Sequence, residues 1–320
     1  MKVALLGLYN RAVTEPGFHW DGQVKACRKL GIDYLRLDVH RYRKEQELSD
    51  ILVAYDPDII LIEHKLGLKR WCSIKKKQVL KNVISVFWMC DGRQVEGVSS
   101  KYFNKIKDPV MEAEDLNNLV DYVFLANACQ IQEYKQGFNI ENVFFLPQAA
   151  GSDIMHRYDE EEIYDMLFAG STRETWVHTG RRAAIDNLNT ICDVKVIEDD
   201  KINTPILYSQ SKLALSLCNF NYHLAVSNRF FIGLNCGACM MYQYFSGIEL
   251  LVKNHVHIAW WKTVDELKNN ILYYLNNPEE RNEIRKNAEE LGHSKHTYTH
   301  RLQNMFDIIE NKTDEFYGFL

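Results

Sequence analysis

The chain is 320 residues long, and its 46% hydrophobic and 25% charged residues give the composition of an ordinary globular protein. That composition excludes a disordered, collagen-like or low-complexity chain, and the length favours two mid-sized domains over one large core. With 38 basic and 43 acidic side chains, the net charge is -5, so the molecule as a whole would not attract a polyanion. A nucleic-acid role would therefore require a local basic patch.

No apolar run approaches the roughly 20 residues that cross a bilayer, and residues 1–8 are too short for the core of a secretion signal. We expect no membrane span and a soluble, cytoplasmic protein. The 8 cysteines are scattered, and Cys236 with Cys239 has neither a second pair nor histidines at zinc-ligand spacing. We therefore predict reduced cysteines in core positions, no metal site and no tightly bound cofactor.

Short apolar runs alternate with longer amphipathic stretches along the whole chain, which is typical of α/β proteins with parallel sheets. In the first half, strands are predicted at residues 3–8, 33–39, 59–62, 83–88, 122–126 and 143–146. The first helix is predicted to begin with Asp21 as its N-cap and to end at Gly31. Residues 147–165 lose this periodicity and become acidic, so we place a domain boundary there.

A second series of the same kind follows the boundary. Strands are predicted at residues 166–169, 194–197, 213–217, 239–242 and 256–259, with helices that begin near Thr172, Asn203, Ser227 and Pro278. The predicted domains are residues 1–150, a linker at 151–165, a second domain at 166–295 and a closing helix at 296–320.

The loop after the predicted strand 166–169 contains Gly170, Ser171 and Arg173. In open α/β sheets, ligands bind at the carboxyl ends of the strands. Small residues allow close backbone approach, free amides at a helix start attract phosphate, and an arginine can bind two oxygens at once. The loop is therefore a candidate diphosphate site; a turn followed by a helix cap explains the same residues without a ligand.

Residues 227–251 carry a more specific pattern, in which Arg229, Phe231 and Gly237 are followed by Gly247 and Glu249. This pattern resembles the donor-binding segment of GT-B glycosyltransferases, in particular the CgeB-like, spore-protein-like group. Further segments that resemble this family are residues 146–150, 168–171, 274–281 and 296–301. The resemblance covers the second half of the chain and extends to the first half only in architecture.

The resemblance implies two Rossmann-like domains that face each other across a cleft, with the C-terminal helices packing back. A nucleotide sugar, by family habit a UDP-sugar, would bind the second domain as co-substrate. Glu249 would accept hydrogen bonds from the ribose hydroxyls. Arg229 and Arg173 would face the diphosphate, which agrees with the usual metal independence of such enzymes. The other residues assigned to the donor site are Gly170, Ser171, Ser227, Asn228 and Gly247.

These assignments have simpler alternatives. Glu249 could be a solvated carboxylate at a helix end, and Arg229 could belong to a surface ion pair. The sequence also departs from the family, because Leu224 and Ile232 stand where retaining GT-B enzymes commonly carry a glutamate pair. This departure favours an inverting displacement, in which a base on the first domain deprotonates the acceptor hydroxyl.

The first candidate for that base is Asp91, which follows the predicted strand 83–88 and therefore lies at a strand end beside the cleft. A turn formed with Gly92 explains the same residue without catalysis. His19 and Asp21, in the loop after the first strand, are the second choice. Asp21 fits a helix cap equally well.

One segment of this acidic chain is strongly basic. Residues 65–81 contain no acidic side chain, and the basic residues that we assign to a patch for an acceptor or polyanion are Lys69, Arg70, Lys75, Lys76 and Lys77. Trp71 lies among them and could stack on a base. The simpler alternative is a solvated helix face.

The sequence therefore predicts a glycosyltransferase, with a hexosyltransferase favoured, that transfers a sugar from a nucleotide donor to a hydroxyl acceptor. The acceptor would be a saccharide or modified DNA, as for the phage enzymes that glycosylate hydroxymethylated bases, and DNA would have to present a flipped base. The alternatives are a sugar-nucleotide epimerase or hydrolase and a non-catalytic binding protein.

Overall fold

The computed structural model describes residues 1–9, 15–42, 44–63, 65–80, 82–89, 119–137, 140–173, 180–198, 202–217 and 222–320. Within them, no helix combines the length and the apolarity that crossing a bilayer requires. Asp91, the first candidate base, lies outside the described residues.

The first half of the chain forms a six-stranded sheet. Its strands are β1 (Lys2–Gly7), β2 (Asp33–Asp38), β3 (Ile59–Ile62), β4 (Ile84–Met89), β5 (Tyr122–Leu125) and β6 (Val143–Phe145). The strand order is β2-β1-β3-β4-β5-β6, and all neighbouring strands run parallel. All four residues of β3 are buried, as expected for a central strand covered on both faces.

The second half forms a five-stranded sheet of the same kind. Its strands are β7 (Tyr164–Ala169), β8 (Val194–Ile197), β9 (Ser211–Ser216), β10 (Met240–Gln243) and β11 (Ala259–Trp261). Their order is β11-β10-β9-β7-β8, again with parallel neighbours. The predicted α/β fold class is confirmed.

Helices connect the strands on both sheets. Those described are α1 (His19–Lys29), α2 (Glu45–Tyr55), α3 (Lys65–Lys76), α4 (Ile131–Gly137), α5 (Arg181–Leu188), α6 (Thr204–Ser209), α7 (Asn228–Asn235), α8 (Val264–Asn276), α9 (Pro278–Lys295) and α10 (Tyr298–Ile309). Short 3-10 turns occur at Ala128–Gln130 and Ile248–Leu250. Residues 147–163 between the sheets contain no helix or strand, while the division into domains at the proposed boundaries stays a prediction.

The carboxyl ends of the two sheets approach each other. Asn127, two residues after β5, forms an antiparallel bridge with Ala225, which lies between β9 and α7. Because both residues follow the carboxyl ends of their strands, the bridge joins the two sheets at the edges where α/β proteins bind ligands.

The last helix, α10, returns from the second half and packs on α1. A Cβ atom at Gly22 of α1 would lie 2.1 Å from Cδ2 of Tyr298, so this close approach requires glycine. Arg301 of α10 is buried, and its Nε donates to the Pro147 carbonyl over 3.0 Å. Its guanidinium lies 5.0 Å from the ring centroid of Phe231. The prediction that the C-terminal helices pack back is confirmed.

A buried ion cluster joins the segment between the sheets to α9. Glu162 Oε2 lies 2.8 Å from Nη2 of Arg281, and Glu162 Oε1 bonds to Arg285. The two arginine side chains are 6% and 0% exposed. Burial alone would raise the pKa of Glu162, but the two guanidinium groups outweigh it and hold that pKa below its usual range.

We expect Glu162→Gln to lower the free energy of unfolding by about 3 kcal/mol at pH 7, because it leaves buried guanidinium charge without its carboxylate. The carboxylate has a lowered pKa in the folded state, so it stabilises the protein above its unfolded pKa. That stabilisation is lost as the pH falls through the folded pKa. Urea denaturation from pH 7 to pH 3 should therefore show the wild type converging on the variant, with exposed Glu160→Gln as control. Parallel profiles would contradict this account.

Candidate active site

The first sheet has a crevice where its strand order reverses direction. In the order β2-β1-β3-β4, the connection from β1 leads to β2 on one side, and the connection from β3 leads to β4 on the other side. Ligands of such sheets bind outside the carboxyl ends of the two strands at this point. Tyr9 lies two residues after β1, and Glu63 directly follows β3. Both side chains therefore lie at the switch point.

These two residues belong to a buried polar cluster with His19 and Gln23 of α1. The Tyr9 hydroxyl lies 2.9 Å from Glu63 Oε2 and 2.8 Å from Gln23 Oε1. The Gln23 amide donates to Glu63 Oε1, and His19 Nε2 lies 3.1 Å from the same oxygen. A buried carboxylate is costly unless it is paired, and this one has three partners.

His19 is nearly buried within this cluster. Its side chain keeps 9% exposure, whereas that of Glu63 has none. The rings of Trp20, Trp88 and Tyr298 surround the imidazole, at centroid distances of 4.7, 5.3 and 5.6 Å. Gln23 Nε2 lies 3.4 Å from Nδ1 and 3.1 Å from Nε2 of His19, so the donor and acceptor roles of the two ring nitrogens depend on the tautomer. The site thus has the parts of a histidine base oriented by a carboxylate.

Asp21 is engaged at the start of α1. Helix α1 begins at His19 with Phe18 in the N-cap position, so the prediction of Asp21 as N-cap is wrong. Its carboxylate instead accepts from the Gly17 amide over 2.7 Å and pairs with Lys25 at 2.7 Å. A carboxylate in the first turn favours the helix dipole even without occupying the cap.

The second sheet has its own switch point between β7 and β9. Arg229, in the first turn of α7, donates through Nη1 to the Ala169 carbonyl over 2.8 Å, at the end of β7. A Cβ atom at Gly170 would lie 1.8 Å from the same Nη1, so only glycine leaves room for the guanidinium. A small cavity opens here, lined by Arg229 together with Phe168, Ala169, Leu215 and Ser216.

The other residues of the predicted donor site lie at the start of α7 and in the turn that follows β10. Ser227 occupies the N-cap position of α7 without a side-chain capping bond, and Asn228 begins the helix. Gly247 adopts a left-handed conformation with φ 86° and precedes the turn that contains Glu249. Glu249 is exposed and accepts a hydrogen bond from the Tyr244 hydroxyl, which raises the pKa of Tyr244. The Tyr244 ring in turn lies 4.1 Å from the Lys262 ammonium.

The loop at residues 170–173 differs from its predicted form. Residues 171–173 are not helical, and the next helix described, α5, begins at Arg181. The predicted helix start near Thr172 extends into residues 174–179, which lie outside the described residues. The Ser171 carbonyl accepts from Arg181, and the Ser171 hydroxyl accepts from the Arg173 amide over 3.2 Å. Arg173 is exposed.

The amide of Thr172 in this loop is already bonded. It donates to Glu198 Oε1 over 2.7 Å, and the Thr172 hydroxyl donates to the same oxygen. These hydrogen bonds hold the pKa of Glu198 below its usual range. The Gly170 amide is also engaged, since it donates to the Ile197 carbonyl over 2.8 Å. A diphosphate at this loop would therefore meet Arg173 rather than either amide.

The predicted basic patch is largely paired. Lys75 lies 3.2 Å from Asp121, Lys77 lies 2.5 Å from Glu45, and Arg70 donates to the carbonyls of Val39 and Tyr42. Lys69 and Lys76 are exposed. The side chain of Trp71 is fully buried and its Nε1 donates to the Leu119 carbonyl over 2.9 Å, so the prediction that Trp71 could stack on a base is wrong.

Sequence reasoning missed Glu63 and Glu198, although the signal was present. Each follows directly after a strand whose bounds were predicted as observed, Ile59–Ile62 and Val194–Ile197. Searching the strand ends for carboxylates would have found both. Tyr9 and Gln23 gave no comparable signal. Among the residues that the structure describes, no three His, Cys, Asp or Glu side chains gather as metal ligands.

Comparisons with known proteins agree with this architecture. Residues 164–307 match the family described as Glycosyl transferase-like. No curated protein matches the chain. Sucrose-phosphate synthase (tll1590) from Thermosynechococcus elongatus is 9% identical, with a TM-score of 0.64 over 98% of this chain and 100% of that chain. HepE from Anabaena in complex with UDP is 11% identical, with a TM-score of 0.61 over 97% of this chain and 100% of that chain.

A third similar structure is that of β-glucosyltransferase, described as a DNA modifying enzyme and studied with and without uridine diphosphoglucose. It is 12% identical to this chain, with a TM-score of 0.63 over 97% of this chain and 100% of that chain. The T4 phage β-glucosyltransferase is also among the similar structures. At these identities the likeness concerns the fold.

The fold and the matched segment define the class of the protein. It has the α/β fold of GT-B glycosyltransferases, and its residues 164–307 match the glycosyl transferase-like family. The predicted class, a glycosyltransferase enzyme of the GT-B type, is thereby confirmed. The narrower CgeB-like assignment stays a prediction.

Proposed function

We propose that this protein transfers a sugar from a UDP-sugar to a hydroxyl group of an acceptor. The observation that supports the proposal most is the set of side chains at the two switch points. Arg229 and Gly170 lie at the switch point of the second sheet, and the His19–Glu63 pair lies at that of the first sheet. Similar structures described with UDP and with uridine diphosphoglucose support the identity of the donor.

In the proposed donor site, Arg229 and Arg173 stabilise the negative charge that develops on the leaving diphosphate. Glu249 accepts hydrogen bonds from the ribose hydroxyls once it exchanges its bond with Tyr244. Two guanidinium groups supply the charge compensation, so we propose that the reaction proceeds without a metal ion. Retention of activity in EDTA is the expected result.

In the proposed chemical step, His19 accepts the proton of the acceptor hydroxyl. The acceptor oxygen then forms a bond to the anomeric carbon as the bond to the UDP oxygen breaks, which inverts the configuration. Glu63 stabilises the imidazolium that forms. Asp91 remains the other candidate for the base.

The donor proposal is tested by thermal denaturation with a panel of nucleotide sugars, because a ligand that binds only the folded state raises the melting temperature. We expect a rise with UDP-sugars that exceeds the rise with other nucleotide sugars. UDP release that requires an added hydroxyl acceptor would then support transfer. Release of free sugar or an epimer would identify the hydrolase or epimerase alternative, and stabilisation without any turnover would identify a binding protein.

A further inference from the structure

A second surface of the first sheet is rich in cations and adjoins the proposed base. It is an open concavity at the carboxyl end of β1 and β2, which we call the β2 concavity, and its lining residues are Tyr9, Arg36, Asp38, His40, Arg41 and Tyr42. Tyr9 is shared with the buried cluster, since its hydroxyl bonds to Glu63. An acceptor bound in the β2 concavity would therefore lie beside the His19–Glu63 pair.

The charge of the β2 concavity is positive. Arg36, His40 and Arg41 are exposed and face a single carboxylate, Asp38, whose Oδ1 accepts from the His40 amide over 2.9 Å. Within the described parts of the chain, neither Arg36 nor Arg41 forms an ion pair. The Arg41 guanidinium lies 5.7 Å from the ring centroid of Tyr42. Exposed arginines beside a tyrosine offer paired donors to phosphate oxygens and a ring to a base.

The loop that carries His40 and Arg41 is held in place. Arg70 of α3 donates to the carbonyls of both Val39 and Tyr42, which fixes the turn between β2 and α2. Residues 40–44 read His, Arg, Tyr, Arg and Lys, which is one tyrosine among four basic residues. A basic and aromatic run on a fixed turn suits a repeating phosphodiester backbone better than a single phosphate.

We propose that the β2 concavity binds the phosphodiester backbone of DNA and presents a hydroxyl-bearing base to the neighbouring His19. The chemical step of this inference rests on the proposed function, whereas binding of DNA to the β2 concavity does not depend on the nucleotide-sugar donor. The β2 concavity replaces the basic patch of residues 69–77 as the proposed polyanion site, since Lys75 and Lys77 are neutralised by Asp121 and Glu45.

The test measures binding of a fluorescein-labelled 20-base-pair duplex by anisotropy between 50 and 300 mM salt. The double variant Arg36→Gln with Arg41→Gln should bind at least about tenfold more weakly at 50 mM salt. The plot of the logarithm of the association constant against the logarithm of the salt concentration should become less steep by about 2, because two phosphate contacts are lost. The double variant Lys268→Gln with Lys286→Gln removes the same charge from α8 and α9, and it should bind like the wild type.

Three results would overturn the inference: no binding of the duplex by the wild type at 50 mM salt, equal weakening in the two double variants, or competition by inorganic phosphate that matches unlabelled duplex at equal phosphate concentration. Thermal stabilisation by UDP is measured on the same samples and should be the same in both double variants. If UDP did not raise the melting temperature of the wild type, the proposed function would be contradicted. If UDP did so but the duplex did not bind, only the proposal of a DNA-binding surface would be contradicted.

Discussion

Replacement of His19 by alanine is expected to lower the turnover number by a factor of about 100 to 10,000, the usual contribution of a general base. Affinity for the donor should change little, because His19 lies on α1 in the first half of the chain and Arg229 on α7 in the second half. The turnover number comes from UDP release with saturating acceptor, and donor affinity from calorimetry.

The cluster around His19 is buried, so a second variant separates catalysis from folding. Glu63→Gln keeps the size of the side chain and removes the charge that stabilises the imidazolium. It should lower turnover by about tenfold or more with an unchanged donor affinity. Asp91→Asn is the matched comparison. A large loss of turnover in Asp91→Asn, with near wild-type turnover in His19→Ala, would identify Asp91 as the base instead.

Replacement of Arg229 by alanine is expected to weaken UDP binding by one to two orders of magnitude, because a hydrogen bond to a charged group contributes about 1.5–3 kcal/mol. Uridine lacks the diphosphate, so its affinity should be the same in Arg229→Ala and wild type. Calorimetry with both ligands makes this distinction.

Glu249→Ala is the matched variant for the ribose. This variant should weaken the binding of uridine and the binding of UDP by similar factors, since both ligands carry the ribose hydroxyls. If Arg229→Ala weakened uridine as much as UDP, the guanidinium would act on the fold of the site rather than on the diphosphate. Unchanged UDP affinity in Glu249→Ala would contradict the placement of that carboxylate on the ribose.

The strands were largely predictable because strands buried on both faces are short apolar runs. Ile59–Ile62 and Val194–Ile197 have the predicted bounds, and α9 begins at Pro278 as expected. The strand predicted at residues 256–259 was displaced, since β11 is Ala259–Trp261. Val256 is exposed and follows His255, whose φ of 56° belongs to a turn. An aliphatic residue in a turn cannot be distinguished by pattern from one in a strand.

The candidate site was likewise predictable only in part. By itself, the sequence determined that the protein is α/β and that residues 227–251 resemble a donor segment, and it predicted ligand sites at strand ends, because these inferences depend on local patterns. Only the tertiary structure decided that Glu63 pairs with His19, 44 residues away, and that Lys75 is neutralised by Asp121. Such pairings depend on which strands are neighbours, and β1 lies beside β3 through the strand order rather than through the chain order.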